Sequence, residues 1–269
     1  MISRPARACL FSVVLGAFAL LGPATPHGED APVVAAASDL QFAVEEIAAA
    51  FREETGRSVR LSTGSTGNFA RQIREGAPFE IFMAADESFV LDLYADGLTR
   101  DEGDIYAVGR IVLMRAHDSP LAADGTLSDL GEAIADGRLS RFAIANPEHA
   151  PYGMRAEEAL RSAGLWEAIQ PMLIRGENVS QAAQFALSGS AEGGIIAYSL
   201  ALAPQLGDRG TFDLVPAEMH EPLVQRMVLL PAAGEVAEAF YAFVKGPEGR
   251  EIMRRHGFLL PGEGPDESG

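Results

Sequence analysis

The sequence predicts an α/β protein whose sheets are mostly parallel and covered by helices, and three observations predict it. Short apolar runs of strand length alternate with segments whose apolar residues recur at helical spacing. Glycine or a small polar residue punctuates nearly every junction. About 240 residues follow the N-terminal segment, enough for one large or two modest cores.

Taken in order, VVAAA (33–37) is a strand, and DLQFAVEEIAAAFREETG (39–56) is a helix closed by Gly56. RSVRLST (57–63) reads as a strand, GNFARQIREG (67–76) as a helix, FEIFMAA (79–85) as a strand and ESFVLDLYADG (87–97) as a helix. The alternation continues through RIVLMRA, RFAIA, MRAEEALRSAG, SQAAQFALSG, GGIIAYS and RMVLLP. It closes on two helices, EVAEAFYAFVKG and PEGREIMRRHG. Such alternation argues for layered α/β architecture. YAVGRIVLMRA (106–116) and LVQRMVLLPA (223–232) are strand-like but far apart, and each is a candidate crossing between two lobes.

The N-terminal segment has Arg4 and Arg7, an apolar stretch from Cys9 to Leu21, then small residues and a turn. That is the layout of a secretory signal, and the stretch is short for a membrane span, which needs about 20 apolar residues. Cys9 is the only cysteine, so the exported chain is expected to hold no thiol or disulfide. Removing the signal takes two arginines and no acid, so the formal charge goes from −17 to −19. Nucleic acid and anionic membrane are thereby disfavoured as partners. Lys245 is the only lysine.

Four places share one grammar: an apolar strand, small or hydroxyl residues, then a helix start. They are AAASDLQ, where Ser38 and Gln41 have capping-box spacing, LSTGSTGNFARQI, with Ser65-Thr66-Gly67-Asn68, IANPEHAPYGMRAEEAL, with Pro151-Tyr152-Gly153, and GENVSQAAQF. Each alone reads as an ordinary helix cap worth about 1 kcal/mol. Their recurrence points further, because ligands of open α/β sheets bind beyond the carboxyl ends of strands, where first-turn N–H groups lack partners.

Enzyme motifs are missing. GSTGNFAR lacks the spacing and the lysine of a P-loop, no serine sits in G-x-S-x-G, and the five histidines show no zinc-site pairing. His149 is the one histidine near a candidate loop and reads as a loop histidine; Glu45, Glu46, Glu157 and Glu158 read as solvated helix faces.

AAASDLQ, GSTGNFARQI, REGAPFEIFMAAD and NPEHAPYGMRAEEAL resemble, in order and spacing, the periplasmic molybdate-binding proteins of bacterial ABC transporters (ModA type), over about residues 33–257. The resemblance implies a two-lobed periplasmic-binding-protein fold (type II) with the ligand in the cleft. Lobe 1 would be 29–110 plus 222–259 and lobe 2 111–221, preceded by a signal at 1–28 and followed by a disordered tail at 260–269. It implies one tetrahedral oxyanion, molybdate or tungstate, held by hydroxyls and backbone N–H groups without counter-charges or a cofactor. Ser38, Thr66, the Ala85 N–H, Tyr152 and the Val179 N–H match the family's donors, with Ser65 the alternative to Thr66. Ala197 or Tyr198 would supply a fifth loop, and Asp39 looks like an extra residue after the first serine. Gly67 would let its helix start close to the ion, and Arg71 would lie outside. The implied partners are a membrane permease and its ATPase, and a periplasmic monomer is expected.

Three other readings stay open at this point. A sulfate, thiosulfate or phosphate binder of the same fold is one, with Asp39 or Asp86 able to accept a phosphate proton. A secreted serine hydrolase is another, using Ser65 or Ser38 with His149, and it needs a base within about 3 Å of the hydroxyl. A sensing module without transport is the third.

Overall fold

The computed structural model describes Met1 and residues 31–262. Residues 2–28 of the expected signal segment, Cys9 among them, and residues 263–269 of the expected tail lie outside the described residues, whereas Leu260, read with the tail, is buried.

Among the described residues ten strands form two five-stranded sheets. The first holds β1 Val33–Ala37, β2 Arg60–Gly64, β3 Ile81–Ala84, β4 Asp104–Gly109 and β10 Leu223–Leu229, in the order β2-β1-β3-β10-β4. The second holds β5 Ile111–Ala116, β6 Phe142–Ala145, β7 Leu173–Gly176, β8 Gly193–Ala197 and β9 Gly210–Leu214, in the order β7-β6-β8-β5-β9. Both sheets share one plan. Three parallel strands are followed by one reversed strand, β10 or β5, and then by a strand pairing antiparallel with it. The sheets are therefore mixed in pairing, although four strands of each five run the same way.

The reversed strands mark where the chain changes sheet. YAVGRIVLMRA is not one strand: β4 ends at Gly109, β5 begins at Ile111, and Arg110 alone separates strands of different sheets. The apolar pattern runs on across the switch because both strands are buried, so periodicity carried no mark of it. The chain returns after β9 through residues 215–222 into β10.

Helices cover these strands. A 3-10 turn, Ser38–Leu40, leads into α1 Gln41–Thr55, which buries Ala43, Val44, Ile47 and Phe51 along one stripe and ends at Gly56 in the left-handed region, φ 68°. Then come α2 Thr66–Arg74, α3 Glu87–Ala95, α4 Ser128–Asp136, α5 Pro151–Ser162 and α6 Trp166–Ile169. They are followed by α7 Val179–Leu187, α8 Tyr198–Leu202, α9 Pro204–Gly207, α10 Glu235–Lys245 and α11 Pro247–Arg255. α10 and α11 pack on α1, where Phe51 meets Phe240 edge-on at 5.3 Å. The four β1 residues Val34–Ala37 are buried, as expected of a strand covered on both faces.

The alternation of elements is as the sequence predicts, with additions. The sequence reading merges β4 with β5 and omits α4, α6, β7, α8, α9 and β9. β7 and β9 are edge strands carrying a charged residue each, LIRG and GTFDL, which weakens an apolar pattern while protecting an edge. The capping box at Ser38 and Gln41 is absent. Ser38 lies inside the 3-10 turn with no side-chain cap bond, and Gln41 Oε1 instead accepts from Ser180 Oγ, 3.3 Å away on α7.

Candidate functional site

The four strand-to-helix loops, after β1, β2, β6 and β7, meet in one place, and the end of β3 joins them through Ala85. The residues they present enclose a cavity of about 10 Å³, on the order of one water-sized sphere. Ser38, Asp39, Ser65, Thr66, Ala85, Tyr152 and Val179 all line it. Among its lining residues only Asp39 and Tyr152 are titratable, and none is Lys, Arg or His.

Thr66 and Ser65 have separate tasks. Thr66 is the first residue of α2, and its Oγ1 accepts the Ala85 N–H at 3.1 Å. With a lone pair so used, the hydroxyl proton is left to point at another acceptor. Ser65 is the N-cap of α2 but makes no cap bond to it. Its Oγ lies 2.7 Å from the His149 carbonyl and 2.8 Å from His149 Nδ1, across the cleft. Gly67 sits against the same loop: its N–H donates to the His149 carbonyl at 2.9 Å, and a Cβ there would stand 2.6 Å from that oxygen. The glycine thus allows close approach of the two lobes, not of the helix to an ion. His149 is also not a free loop residue, since Ser65, Asn146 Nδ2 and Glu177 surround its ring.

Ser38 is buried, and the α7 start faces it: Ser180 Oγ donates to the Ser38 carbonyl at 2.9 Å. Val179 opens α7 behind Asn178, whose side chain accepts from Gln181 N–H, so the Val179 N–H has no intrahelical acceptor. Pro151 opens α5, where its missing N–H costs nothing, and Tyr152 follows as a second free first-turn donor.

Tyr152 and Asp39 hold each other. Tyr152 Oη donates to Asp39 Oδ2 at 3.0 Å, and Gln225 Nε2 donates to the same oxygen at 2.7 Å. Behind them Tyr106 Oη donates to Gln225 Oε1 at 2.7 Å, fixing which end of the amide faces Asp39. Ser199 Oγ donates to the Asp39 carbonyl at 2.8 Å. Burial raises the Asp39 carboxyl to about 6, against the opposing pull of its bonds to Gln225 and Tyr152. Burial, then the nearby Asp39 charge, pushes both tyrosines well above the usual phenol value.

Sequence reasoning missed part of this arrangement and misplaced part. Ala197 and Tyr198 do not line the cavity. Ala197 is paired with Ile111 inside the second sheet, and Tyr198 gives its N–H to the Arg110 carbonyl and its ring to Phe212 and the Arg110 guanidinium. Ser199, one residue on, is the member of that loop that reaches the first lobe. Asp86 caps α3 through Ser88 N–H and pairs with Arg155 at 2.6 Å, away from the cavity. Gln225 and Tyr106 were missed, although a glutamine inside the apolar run LVQRMVLLP is a signal: it is fully buried beside a register shift in β10 that re-aims it. Arg71 lies on the exposed side of α2, paired with Glu75.

Residues 32–259 match the family model of the bacterial extracellular solute-binding proteins. The chain belongs to that family. Among its relatives, this solute-binding protein is 36% identical over 243 residues to the molybdate-binding protein ModA of Rhodobacter capsulatus, covering 89% of this chain and 92% of that one. It is 30% identical over 254 residues to ModA of Escherichia coli (strain K12), covering 93% and 97%. The solved periplasmic molybdate-binding protein of Azotobacter vinelandii matches with a TM-score of 0.78 at 31% identity, covering 86% of this chain and 99% of that one. The sulfate-binding protein SubI from Mycobacterium tuberculosis H37Rv shares the fold, with a TM-score of 0.70 at 15% identity. The family resemblance drawn from the loop motifs and the two-lobed α/β fold it implied both hold.

Among the described residues no group of three or more His, Cys, Asp or Glu is placed to hold a metal ion, and no helix is long and apolar enough to cross a membrane. A larger cavity, about 360 Å³, lies where the chain crosses between sheets, lined mostly by apolar residues such as Val108, Val215, Pro222 and Leu259. The converging helix starts and hydroxyls are at the small cavity, not there.

Proposed function

We propose that this solute-binding protein captures one tetrahedral oxyanion, molybdate or tungstate, in the periplasm and delivers it to a membrane permease driven by an ATPase subunit. One observation carries the reading: hydroxyls and first-turn N–H groups from loops of both lobes converge on one small cavity, with no cation among its lining residues. Fixed dipoles of this kind stabilise a dianion without the ordering cost of flexible cationic side chains. The names of the relatives at 30–36% identity support molybdate as the ion.

In this reading the Ser38 and Thr66 hydroxyls from the first lobe meet the Tyr152 loop and the Val179 N–H from the second. The Ala85 N–H acts through Thr66, whose hydroxyl it turns toward the ion. Closure is favoured by ligand because only the closed form engages all donors at once. The cavity is smaller than an oxyanion, so the Tyr152–Asp39 contact or the bonds between lobes must yield as the ion enters. Selection against the smaller sulfate would come from the size of the closed cage.

The Ser65–His149 contact is the one feature that favours a hydrolase, since its 2.8 Å meets the distance a nucleophile and base require. Three features oppose it. The two residues sit on opposite lobes, the serine hydroxyl has a carbonyl at 2.7 Å competing for its single proton, and Glu177 is largely exposed. Ser65 and His149 are therefore assigned as a latch between lobes, and no reaction is assigned to the chain.

Calorimetric titration with molybdate, tungstate, sulfate and phosphate tests the function. Micromolar or tighter binding of the two metal oxyanions is expected, and a folded protein that binds neither would reject the proposal. Covalent labelling of Ser65 by a fluorophosphonate, lost in Ser65→Ala, would favour the hydrolase instead.

A further inference from the structure

A carboxylate is an odd wall for an anion cage. Asp39 lines the cavity with 2% of its surface exposed, on the same turn as Ser38. Its Oδ2 is satisfied by Tyr152 and Gln225, but its Oδ1 is buried with no partner in hydrogen-bond geometry, and beyond those two side chains only the backbone N–H groups of Asp39 and Leu40 favour its charged form. A buried, unpartnered carboxylate oxygen carries a cost that natural structures rarely leave unexplained. Beside a dianion the cost would grow, because two negative charges would then meet in a poorly solvated space.

Both difficulties vanish if a proton lies between them. We infer that this site binds its oxyanion together with one proton from solution, held between Asp39 Oδ1 and an oxygen of the ligand. The inference deepens the oxyanion reading and rests on it. It makes Asp39 a specificity determinant. A basic oxyanion, able to share the proton, is favoured over one whose oxygens are very weak bases, such as sulfate, independently of size.

The surroundings fit that role. Gln225 and Tyr152 both donate to Oδ2, so that oxygen is the acceptor end of the group and Oδ1 the end left for an O–H. The groups packed around Asp39 are Tyr152 from α5, Tyr106 and Gln225 from β4 and β10, and Ser199 from α8. The two phenols are the titratable ones among them, and burial keeps them protonated, so Asp39 is the member of this network able to change charge. Its carboxyl, raised to about 6, already lies near the range where proton uptake at neutral pH needs little further help from a bound anion.

The test is calorimetry of the whole mature protein with molybdate at pH 8, in buffers of different ionisation heat, with a parallel series of Kd against pH. Uptake of about one proton per ion is expected, with Kd rising about tenfold per pH unit above neutrality. Asp39→Asn keeps an acceptor for Tyr152 and Gln225 and turns an N–H toward the ion, so it should bind with no proton uptake and a flat pH profile. The proton count on the unaltered protein stands even if the variant folds poorly. Molybdate binding without proton uptake and without pH dependence would overturn the inference while leaving the oxyanion function intact. The same proton uptake in Asp39→Asn would also overturn it, by placing the proton elsewhere. Failure of molybdate, tungstate, sulfate and phosphate alike to bind from pH 5.5 to 8 would reject both.

Discussion

Tyr152 of the second lobe donates its hydroxyl to Asp39 of the first at 3.0 Å, and so joins the cavity wall to the closure of the cleft. Asp39 is the charged partner of a fully buried pair, and burial raises its carboxyl from 3.8 to about 6. The folded protein therefore holds this proton more tightly than the unfolded chain. The sign follows: the contribution is present below about pH 4 and is lost as pH rises through about 6. At about 1.4 kcal/mol per pH unit, the loss is on the order of 3 kcal/mol. Asp39→Asn should gain stability relative to the parent across this window and run parallel to it above. Urea unfolding of both proteins from pH 4 to 8 without ligand checks this, and parallel curves throughout would contradict it.

Thr66 and Ser65 are adjacent but should respond differently to substitution. Thr66→Val keeps the shape, removes the hydroxyl and strands the buried Ala85 N–H, which should cost about 1–3 kcal/mol of stability. Loss of a donor to an ionised ligand should weaken molybdate binding about tenfold to a hundredfold, as a charge-assisted hydrogen bond is worth about 1.5–3 kcal/mol. Ser65→Ala removes only the latch to His149, so a few-fold loss of affinity is expected. Calorimetry and thermal melts on the two variants decide it; equal losses would mean that both hydroxyls face the ion.

Arg155 of α5 reaches across to Asp86 at 2.6 Å and also pairs with Glu158 at 2.7 Å, with only 11% of its side chain exposed. Removing one partner of such a pair leaves uncompensated charge in the closed form, while opening returns it to water. Arg155→Met should shift the ligand-free protein toward open conformations and raise the Kd for molybdate through that population shift. Small-angle scattering should show a larger radius of gyration without ligand, restored when the site is saturated.

Gly109, the last residue of β4, lies under the same network. A Cβ there would stand 2.3 Å from Tyr152 Oη and 2.8 Å from Gln225 Nε2. Gly109→Ala should displace both, at about 1–3 kcal/mol for overpacking a filled site. It should weaken oxyanion binding more than Gly→Ala at Gly246, where the nearest contact is 3.2 Å. Comparable binding by the two variants would separate the crossing strand from the site.

Much of this site was legible because loop chemistry is local. Hydroxyls and glycines between a strand and a helix announce a helix start with free N–H groups, whatever the fold around them, and that placed Ser38, Thr66, Tyr152 and Val179 around one cavity. Gln225, Tyr106 and His149 were not legible as site residues, since each matters through a partner more than 80 positions away. Ala197 and Tyr198 were misplaced for the opposite reason. Counting along the strand gives position in the chain, but β5 pairing and the Arg110 contacts decide which way those residues are committed.

By itself the sequence determined the α/β class, the succession of most elements and the hydroxyl-rich anion-type loops, because each follows from periodicity, capping and backbone freedom within a few residues. The tertiary structure alone decided that β4 and β5 belong to different sheets. It also gave the two hydroxyls different partners, Ser65 reaching His149 and Thr66 accepting the Ala85 N–H, and brought Asp39, from the loop of the opening serine, under Tyr152 and Gln225. The physical reason is burial: what a carboxylate or hydroxyl does depends on which donors replace its water, and those donors come from strands and helices distant in the chain.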